Sequence, residues 1–179
     1  MTAAHDVVLL HGALGASTQL DVLARELQPH FRIHQLDYEG HGSAPPGGRP
    51  YRIQSFSDNV LELLDSNRIE RALLFGYSMG GYVALHLAAE HPARVERVAT
   101  LGTKVRWDPP TAAREVARLN PDVIRAKVPR FAEALAARHE RAGGWERVLA
   151  DTADFLRVLG DHPLLTGEAL GRIRQPVCV

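Results

Sequence analysis

Gly76-Tyr77-Ser78-Met79-Gly80-Gly81 is the most informative motif of the sequence, because it places Gly-x-Ser-x-Gly between an apolar run and a helical pattern. The run before it, 72–75, is typical of a strand buried in a parallel sheet, and 79–90 is typical of a helix that His91-Pro92 ends. A serine at such a turn has a strained backbone that lifts its hydroxyl clear of the sheet. We therefore predict a nucleophile elbow with Ser78 as the attacking residue, supported by the small residues Gly76 and Gly80.

Outward from the elbow, short apolar runs alternate with helical patterns. Strands are predicted at 7–10, 31–36, 72–75 and 95–101, and helices from Ser17 or Thr18 as the cap to Pro29, from residue 55, and at 79–90. Three strand–helix repeats followed by a strand predict an α/β fold: an open, mostly parallel sheet with helices on both faces.

The strand pattern stops at Lys104. Helices are predicted at 111–120, 130–142 and 145–159, the last with Gly160 as its C-terminal stop. Residues 1–103 are then the N-terminal part of the core, 104–172 a helical lid insertion, and 173–179 the start of the next core strand. An apolar strand at 176–179 would otherwise be an unpaired edge, so we expect a further segment or a second chain to complete the sheet.

His11-Gly12-Ala13 follows the first predicted strand. Acyl transfer passes through a tetrahedral oxyanion, which preorganised N–H donors stabilise. In an elbow site one donor is the amide after the serine, here that of Met79, and the other comes from a loop after an early strand. We predict an oxyanion hole formed by the amides of Met79 and Ala13, with His11 and Gly12 shaping the turn.

A second loop, Asp37-Tyr38-Glu39-Gly40-His41-Gly42-Ser43, follows the second predicted strand. Its glycines permit a sharp return of the chain, and the Asp37 carboxylate is suited to binding neighbouring backbone N–H groups. His41 is expected to order this loop and not to act as a base.

Composition excludes several classes of function. Lys+Arg and Asp+Glu both number 21, so no net charge attracts nucleic acid or an acidic membrane. Cys178 is the only cysteine, which excludes an internal disulfide and a cysteine metal cluster. Met1–Asp6 lacks the basic region of a signal peptide, and no stretch approaches the ~20 apolar residues of a membrane span. We expect a cytoplasmic protein that acts on a small molecule.

These motifs resemble those of the α/β-hydrolase-fold superfamily, and in particular its lid-bearing serine hydrolases: small esterases, C–C bond hydrolases and the menaquinone-pathway synthase. The matching pieces are Leu9-Leu10-His11-Gly12, Asp37-x-x-Gly40-His41-Gly42, Gly76 to Gly81 and His91-Pro92. In that group Pro-Val-x-Val, here 176–179, begins the strand that leads to the catalytic acid, and the catalytic histidine comes later. The resemblance implies that the catalytic Asp and His lie beyond Val179, so this chain alone is expected to show little or no turnover.

The histidines that follow Ser78 are not expected to replace that base. His86 lies along the helix after the elbow and is directed away, and His91 lies at the end of that helix. His139 shares a charged helical face with Arg138, Glu140 and Arg141, which indicates exposure to solvent. His162 is explained by a turn before proline, and Asp108 is kept as an alternative acid.

The sequence and the resemblance together predict a serine-dependent hydrolase of a small ester, thioester or related acyl substrate, with no metal or organic cofactor. The first alternative is a C–C hydrolase or synthase-type lyase, in which arginines of the lid bind a carboxylated substrate. The alternative interpretation of these arginines is that they lie on solvated helix faces. The second is a hydrolase-like binding protein that has lost catalysis. The arginines concerned are Arg106, Arg114, Arg118, Arg125 and Arg130.

Overall fold

The structure, a computed structural model, describes residues 5–179. The expectation that the N-terminus carries no signal peptide depends largely on residues 1–4, which lie outside the described residues. Five strands form one parallel sheet in the order β2-β1-β3-β4-β5. Their bounds are β1 Asp6–Leu10, β2 Arg32–Gln35, β3 Ala72–Tyr77, β4 Val95–Leu101 and β5 Val177–Cys178.

The register places the carboxyl ends of β1 and β3 side by side. Leu10, the last residue of β1, is paired with Gly76 of β3, and Tyr77 at the end of β3 is paired with Leu101 of β4. The loops that leave these strands therefore meet at one edge of the sheet, where parallel α/β sheets bind their ligands.

Side chains of β1 alternate between two apolar layers, as the period of a strand requires. Val8 and Leu10 pack against α2 (Ile53–Ser66) and α3 (Met79–Glu90) in the larger core. Val7 and Leu9 face the opposite side, where α1 (Asp21–Leu27) covers them. The predicted open parallel sheet with helices on both faces is confirmed.

Helix α3 and strand β4 have the predicted bounds. Helix α2 begins at Ile53, two residues earlier than predicted. It does not begin earlier still, because the backbone of Arg52 is extended (φ −149°). The prediction that Ser17 or Thr18 caps α1 is wrong. These residues lie in a 3₁₀ turn, Ser17–Leu20, and α1 begins after Leu20 without a side-chain cap.

Five helices occupy the segment 104–172, called the helical segment below. Two of the five were not predicted, α5 (Pro121–Lys127) and α8 (Gly167–Arg172), and both are short. The prediction that Gly160 ends α7 is wrong, since this glycine lies inside the helix. A Cβ atom on Gly160 would approach the Cβ atom of Ala112 to 2.6 Å, so glycine allows α7 to pack on α4. The helices are α4 Pro109–Val116, α5 Pro121–Lys127, α6 Pro129–Arg138, α7 Trp145–Asp161 and α8 Gly167–Arg172.

The helical segment has an apolar cluster of its own in addition to its contacts with the main core. Its buried members are Ile124, Ala132, Leu135, Trp145 and Leu149. Strand β5 follows the segment and pairs with β4, Val177 opposite Val98. Among the described residues, none of the helices has the length and apolarity needed to cross a membrane.

Candidate active site

Ser78 stands at a sharp bend between β3 and α3. Its backbone angles, φ 52° and ψ −113°, lie in a region that L-residues rarely adopt. Hydrogen bonds on both sides hold the bend. The Ser78 N–H donates to the Leu101 carbonyl (2.9 Å), and its carbonyl accepts from the Thr103 hydroxyl (3.1 Å) and the Gly81 N–H (3.1 Å). Strain that the surroundings maintain in this way is typical of functional positions.

Glycines make the bend possible because backbone segments approach one another without room for a side chain. A Cβ atom on Gly76 would lie 2.3 Å from the Gly81 nitrogen, and one on Gly80 would lie 2.3 Å from the Leu10 carbonyl oxygen. The start of α3 is thereby brought against the end of β1.

Ala13, Ser78 and Met79 line one small cavity of about 40 Å³ at the carboxyl edge of the sheet. The turn that contains Ala13 lies directly beside the serine, since a Cβ atom on Gly12 would lie 3.2 Å from Ser78 Cβ. Within residues 5–179, the N–H groups of Ala13 and Met79 donate no hydrogen bond to another residue. The two predicted oxyanion donors are therefore unpaired beside the predicted nucleophile.

A four-residue turn, 12–15, presents the Ala13 amide. The Gly15 N–H donates to the Gly12 carbonyl (3.0 Å), and Leu14 adopts a positive φ of 58°. His11 Nδ1 also donates to the Gly12 carbonyl (2.8 Å), while its Nε2 accepts from the Tyr38 N–H (3.3 Å). Nδ1 of His11 thus holds the 12–15 turn, Nε2 ties it to Tyr38 in the loop that follows β2, and the imidazole is neutral.

Three buried histidines lie together: the ring centroid of His41 is 5.5 Å from that of His11 and 5.9 Å from that of His139. Burial lowers the pKa of His11 to about 4, and burial followed by the proximity of His11 lowers that of His41 to about 3. His41 stacks on Tyr51 with ring centroids 4.9 Å apart, and its Nδ1 donates to the Glu39 carbonyl at 3.3 Å.

The prediction that His139 faces solvent is wrong, because its exposed fraction is 0%. Its Nδ1 accepts from the Gly42 N–H (3.0 Å), and its Nε2 donates to the Leu14 carbonyl (3.0 Å). Burial lowers the pKa of His139 as well. The charged neighbours of His139 in the sequence indicated exposure, whereas its side chain connects the helical segment to both loops of the site.

This histidine cluster predicts a loss of stability in acid. Above pH 6.5 the histidines are largely neutral in the folded and unfolded chain, so they contribute no pH dependence. Below pH 6.5 these histidines become protonated in the unfolded chain, whereas in the folded chain buried His11 stays neutral until about pH 4 and His41 until about pH 3. The free energy of unfolding therefore decreases as the pH is lowered. Each residue should remove about 2 kcal/mol from the free energy of unfolding between pH 7 and pH 5.

Urea titrations at the two pH values, compared with the variant His41→Phe, measure this effect. Phenylalanine keeps the stacking on Tyr51 and cannot titrate, so its loss of stability should be about 2 kcal/mol smaller. An equal loss in the variant and the wild type would show that His41 is not the titrating group.

Asp37 ties the second loop to the first, in the way its sequence position indicates. Its carboxylate accepts from the N–H groups of Ser17 (2.7 Å) and Ser43 (2.8 Å) and from the Ser43 hydroxyl (2.8 Å). Burial alone would raise the pKa of Asp37, but these hydrogen bonds outweigh it and lower the pKa below its ordinary value.

The other candidates for a base or acid have structural roles or are exposed. His86 is hydrogen-bonded through Nδ1 to the Ser57 hydroxyl (3.0 Å), away from Ser78. His91 and His162 are exposed. Asp108 caps α4 by accepting from the Thr111 N–H (2.8 Å), and the Thr111 hydroxyl together with this N–H lowers the pKa of Asp108. Among the described residues, no hydrogen bond joins a histidine to Ser78.

An apolar groove of about 510 Å³ adjoins the small cavity, and the sequence did not reveal it. The two share Ala13, Lys104, Trp107 and Leu156. Lys104 pairs with Glu115 and lies 5.3 Å above the Trp107 ring. Of the arginines considered for a carboxylated substrate, all five are exposed, and Arg118 borders the groove. The apolar walls of the groove are formed by Leu14, Leu119, Ile124, Val128, Phe131 and Leu156.

A parallel sheet with a serine at a strained strand-to-helix bend beside a loop from β1 is the architecture of the α/β-hydrolase fold. The chain belongs to the alpha/beta hydrolase fold family, whose model matches residues 7–146.

The curated relatives that the chain matches include esterases. It is 30% identical over 141 residues to the pimeloyl-[acyl-carrier protein] methyl ester esterase of Vibrio campbellii, covering 76% of this chain and 50% of that protein. It is 30% identical over 95 residues to the esterase YbfF of Escherichia coli, covering 53% of this chain and 37% of that one. The chain thus spans half or less of the length of these relatives.

Solved structures share the fold. The enol-lactonase of Burkholderia xenovorans LB400 superposes with a TM-score of 0.73 at 24% identity, covering 97% of this chain and 71% of the other. The 2-hydroxy-6-oxo-6-phenylhexa-2,4-dienoate hydrolase of Rhodococcus sp. strain RHA1 superposes with a TM-score of 0.70, with the same identity and coverage.

Proposed function

We propose that the natural polypeptide containing these residues is a serine hydrolase that cleaves a carboxylic ester or thioester with an apolar acyl chain. One observation carries the proposal: strained Ser78 shares a cavity with the amides of Ala13 and Met79, which have no hydrogen-bond partner among residues 5–179. The esterase relatives support the same class of reaction.

In this reaction the Ser78 oxygen attacks the acyl carbon while its proton passes to a general base. The carbonyl oxygen becomes an oxyanion that accepts from the Ala13 and Met79 amides. The alcohol or thiol then leaves with a proton from the conjugate acid of the base. Water next attacks the acyl-enzyme while the base accepts its proton, and Ser78 leaves with that proton as the carboxylic acid is released. The described histidines have other partners or are exposed, so we propose that the base comes from outside residues 5–179.

The groove supplies the second half of the proposal. It opens from the small cavity along Leu156 and lies between the 12–15 turn and the helical segment, so an acyl chain attached at Ser78 can extend into it. Its size falls within the usual range of small-molecule pockets. A relative that acts on a pimeloyl ester is consistent with an acyl chain of medium length.

Two valines test where the acyl chain lies. Val128 borders the groove and is 49% exposed, whereas Val22, 64% exposed, lies on α1. Val128→Trp should lower kcat/KM for an octanoyl ester by about tenfold through lost binding and leave an acetyl ester unchanged. Val22→Trp should alter neither. If Val128→Trp affected both esters equally, or if the two substitutions had equal effects, the acyl chain would lie elsewhere.

The class of reaction is tested on the natural polypeptide with three measurements. A fluorophosphonate probe should label Ser78, identified by peptide mass spectrometry. Esters and thioesters of increasing chain length should be hydrolysed, whereas carboxylated dienol substrates of C–C hydrolases should not. A folded protein that neither reacts with the probe nor cleaves any ester would be a binding protein, and cleavage of the dienol substrates alone would favour C–C chemistry.

A further inference from the structure

The Leu14 carbonyl is the point where the helical segment holds the loop of the site. It accepts hydrogen bonds from Arg138 Nη1 (2.8 Å) and His139 Nε2 (3.0 Å), which lie at the end of α6. Donor and acceptor are 124 and 125 residues apart in the chain. The side chain of Leu14 also packs against the apolar cluster of the helical segment.

Leu14 needs this support because its backbone is strained. A φ of 58° is unfavourable for a leucine, so this conformation persists only where the surroundings enforce it. Two donors on its carbonyl and apolar contacts on its side chain enforce the conformation from the same direction, that of the helical segment.

Two planar peptide units transmit this support to Ala13. The unit between Leu14 and Gly15 carries the Leu14 carbonyl and the Gly15 N–H, and that N–H donates to the Gly12 carbonyl (3.0 Å). The unit between Gly12 and Ala13 carries that carbonyl together with the Ala13 N–H. Because each unit is rigid, fixing the Leu14 carbonyl fixes the direction of the Ala13 N–H.

His139 is held in one orientation by a second element. Its Nδ1 accepts from the Gly42 N–H (3.0 Å), so the ring is clamped between the 12–15 turn and the loop that follows β2. Only the neutral ring with its proton on Nε2 makes both hydrogen bonds. The ring therefore presents its Nε2 donor to Leu14 without a competing rotamer.

We propose that His139, assisted by Arg138, is a positioning residue of the oxyanion hole: docking of α6 aims the Ala13 amide at the cavity beside Ser78. The inference depends on the proposed role of the Ala13 amide. A donor that is aimed only in the docked state couples the position of the helical segment to the chemical step, because oxyanion stabilisation requires preorganised donors.

The test compares kcat with KM for a medium-chain ester in the natural polypeptide. His139→Ala should lower kcat between about 10-fold and 100-fold, with KM within about twofold of the wild type, since ground-state binding does not use the amide. His139→Gln, which keeps a donor and an acceptor, should restore most of kcat. Arg138→Met leaves one donor on the Leu14 carbonyl and should lower kcat by about threefold.

Two controls separate positioning from general destabilisation. His86 is also buried and hydrogen-bonded, and Arg94 also donates to backbone carbonyls, but both lie away from the turn. His86→Ala and Arg94→Met should leave kcat within about twofold of the wild type. A trifluoromethyl ketone, which forms an oxyanion on Ser78, should bind His139→Ala more weakly in proportion to kcat, while an unreactive ether analogue binds equally.

The inference is overturned if kcat is unchanged in His139→Ala, if KM rises instead, or if His86→Ala loses as much activity. Should His139→Ala fail to fold, Arg138→Met alone decides, by the same split between kcat and KM. Failure of the proposed function looks different, because the wild type itself would then resist the fluorophosphonate probe.

Discussion

Ser78→Ala should lower kcat/KM for ester hydrolysis by about 10⁴-fold or more in the natural polypeptide, and fluorophosphonate labelling should disappear. In the proposed mechanism the variant could form no covalent acyl-enzyme, and only the amides of Ala13 and Met79 would remain to stabilise an oxyanion. The fold should persist, because no hydrogen bond involves the Ser78 hydroxyl among the described residues. Initial rates over a range of ester concentrations, with thermal unfolding recorded alongside, measure both effects.

Ser66→Ala is the matched control, since Ser66 is an exposed serine at the end of α2. It should leave the rate and the melting temperature unchanged. If Ser78→Ala retained more than a tenth of the wild-type rate while folded, Ser78 would not be the nucleophile and the proposed mechanism would be wrong.

The strain at Ser78 adds a thermodynamic test of the same residue. Alanine keeps the Cβ atom that disfavours φ 52°, whereas glycine removes it. Ser78→Gly should therefore be about 1 kcal/mol more stable than Ser78→Ala in urea titrations, although both are inactive. Equal stabilities would mean that the bend is not strained.

The core of the fold could be predicted because its boundaries carry strong local signals. Gly76 before α3 and His91-Pro92 after it mark the ends of that helix, which the structure places at Met79–Glu90. Short apolar runs likewise located the strands of the parallel sheet. The elbow combined both signals with a serine, so the strained bend at Ser78 could be predicted, and Ser78 and Met79 stay predicted site residues.

The helical segment was less predictable because its helices are short and use long-range contacts. Helix α5 has seven residues and α8 has six, too few for an apolar period to emerge. A signal was nevertheless available, since Asn120-Pro121 is the cap and first residue of a helix.

The connection between the helical segment and the 12–15 turn had no local signal. A leucine with positive φ is not expected from sequence, and charged neighbours of His139 indicated exposure. Both features follow from docking of segments 125 residues apart, where two hydrogen bonds and an apolar cluster outweigh local preference. Only the three-dimensional arrangement shows why a histidine is present at this position.

Gly80→Ala should destabilise the protein more than any other single substitution discussed above. Its Cβ atom would lie 2.3 Å from the Leu10 carbonyl oxygen, 2.7 Å from the Leu10 carbonyl carbon and 2.7 Å from the His11 carbonyl oxygen. All three are backbone atoms, so no side chain can rotate away and β1 must separate from α3. We expect a loss of about 3 kcal/mol or more in the free energy of unfolding, or failure to fold.

Gly171→Ala is the control, because Gly171 lies in α8, where an added Cβ atom would meet no other part of the described chain within 4 Å. It should stabilise the protein by up to about 1 kcal/mol, since alanine favours the helix. Urea midpoints of both variants measure the difference. An unchanged midpoint in Gly80→Ala would refute the close approach. That approach also brings Met79, at the start of α3, to the turn that follows Leu10 and His11, so a folded Gly80→Ala variant should lose oxyanion stabilisation along with stability.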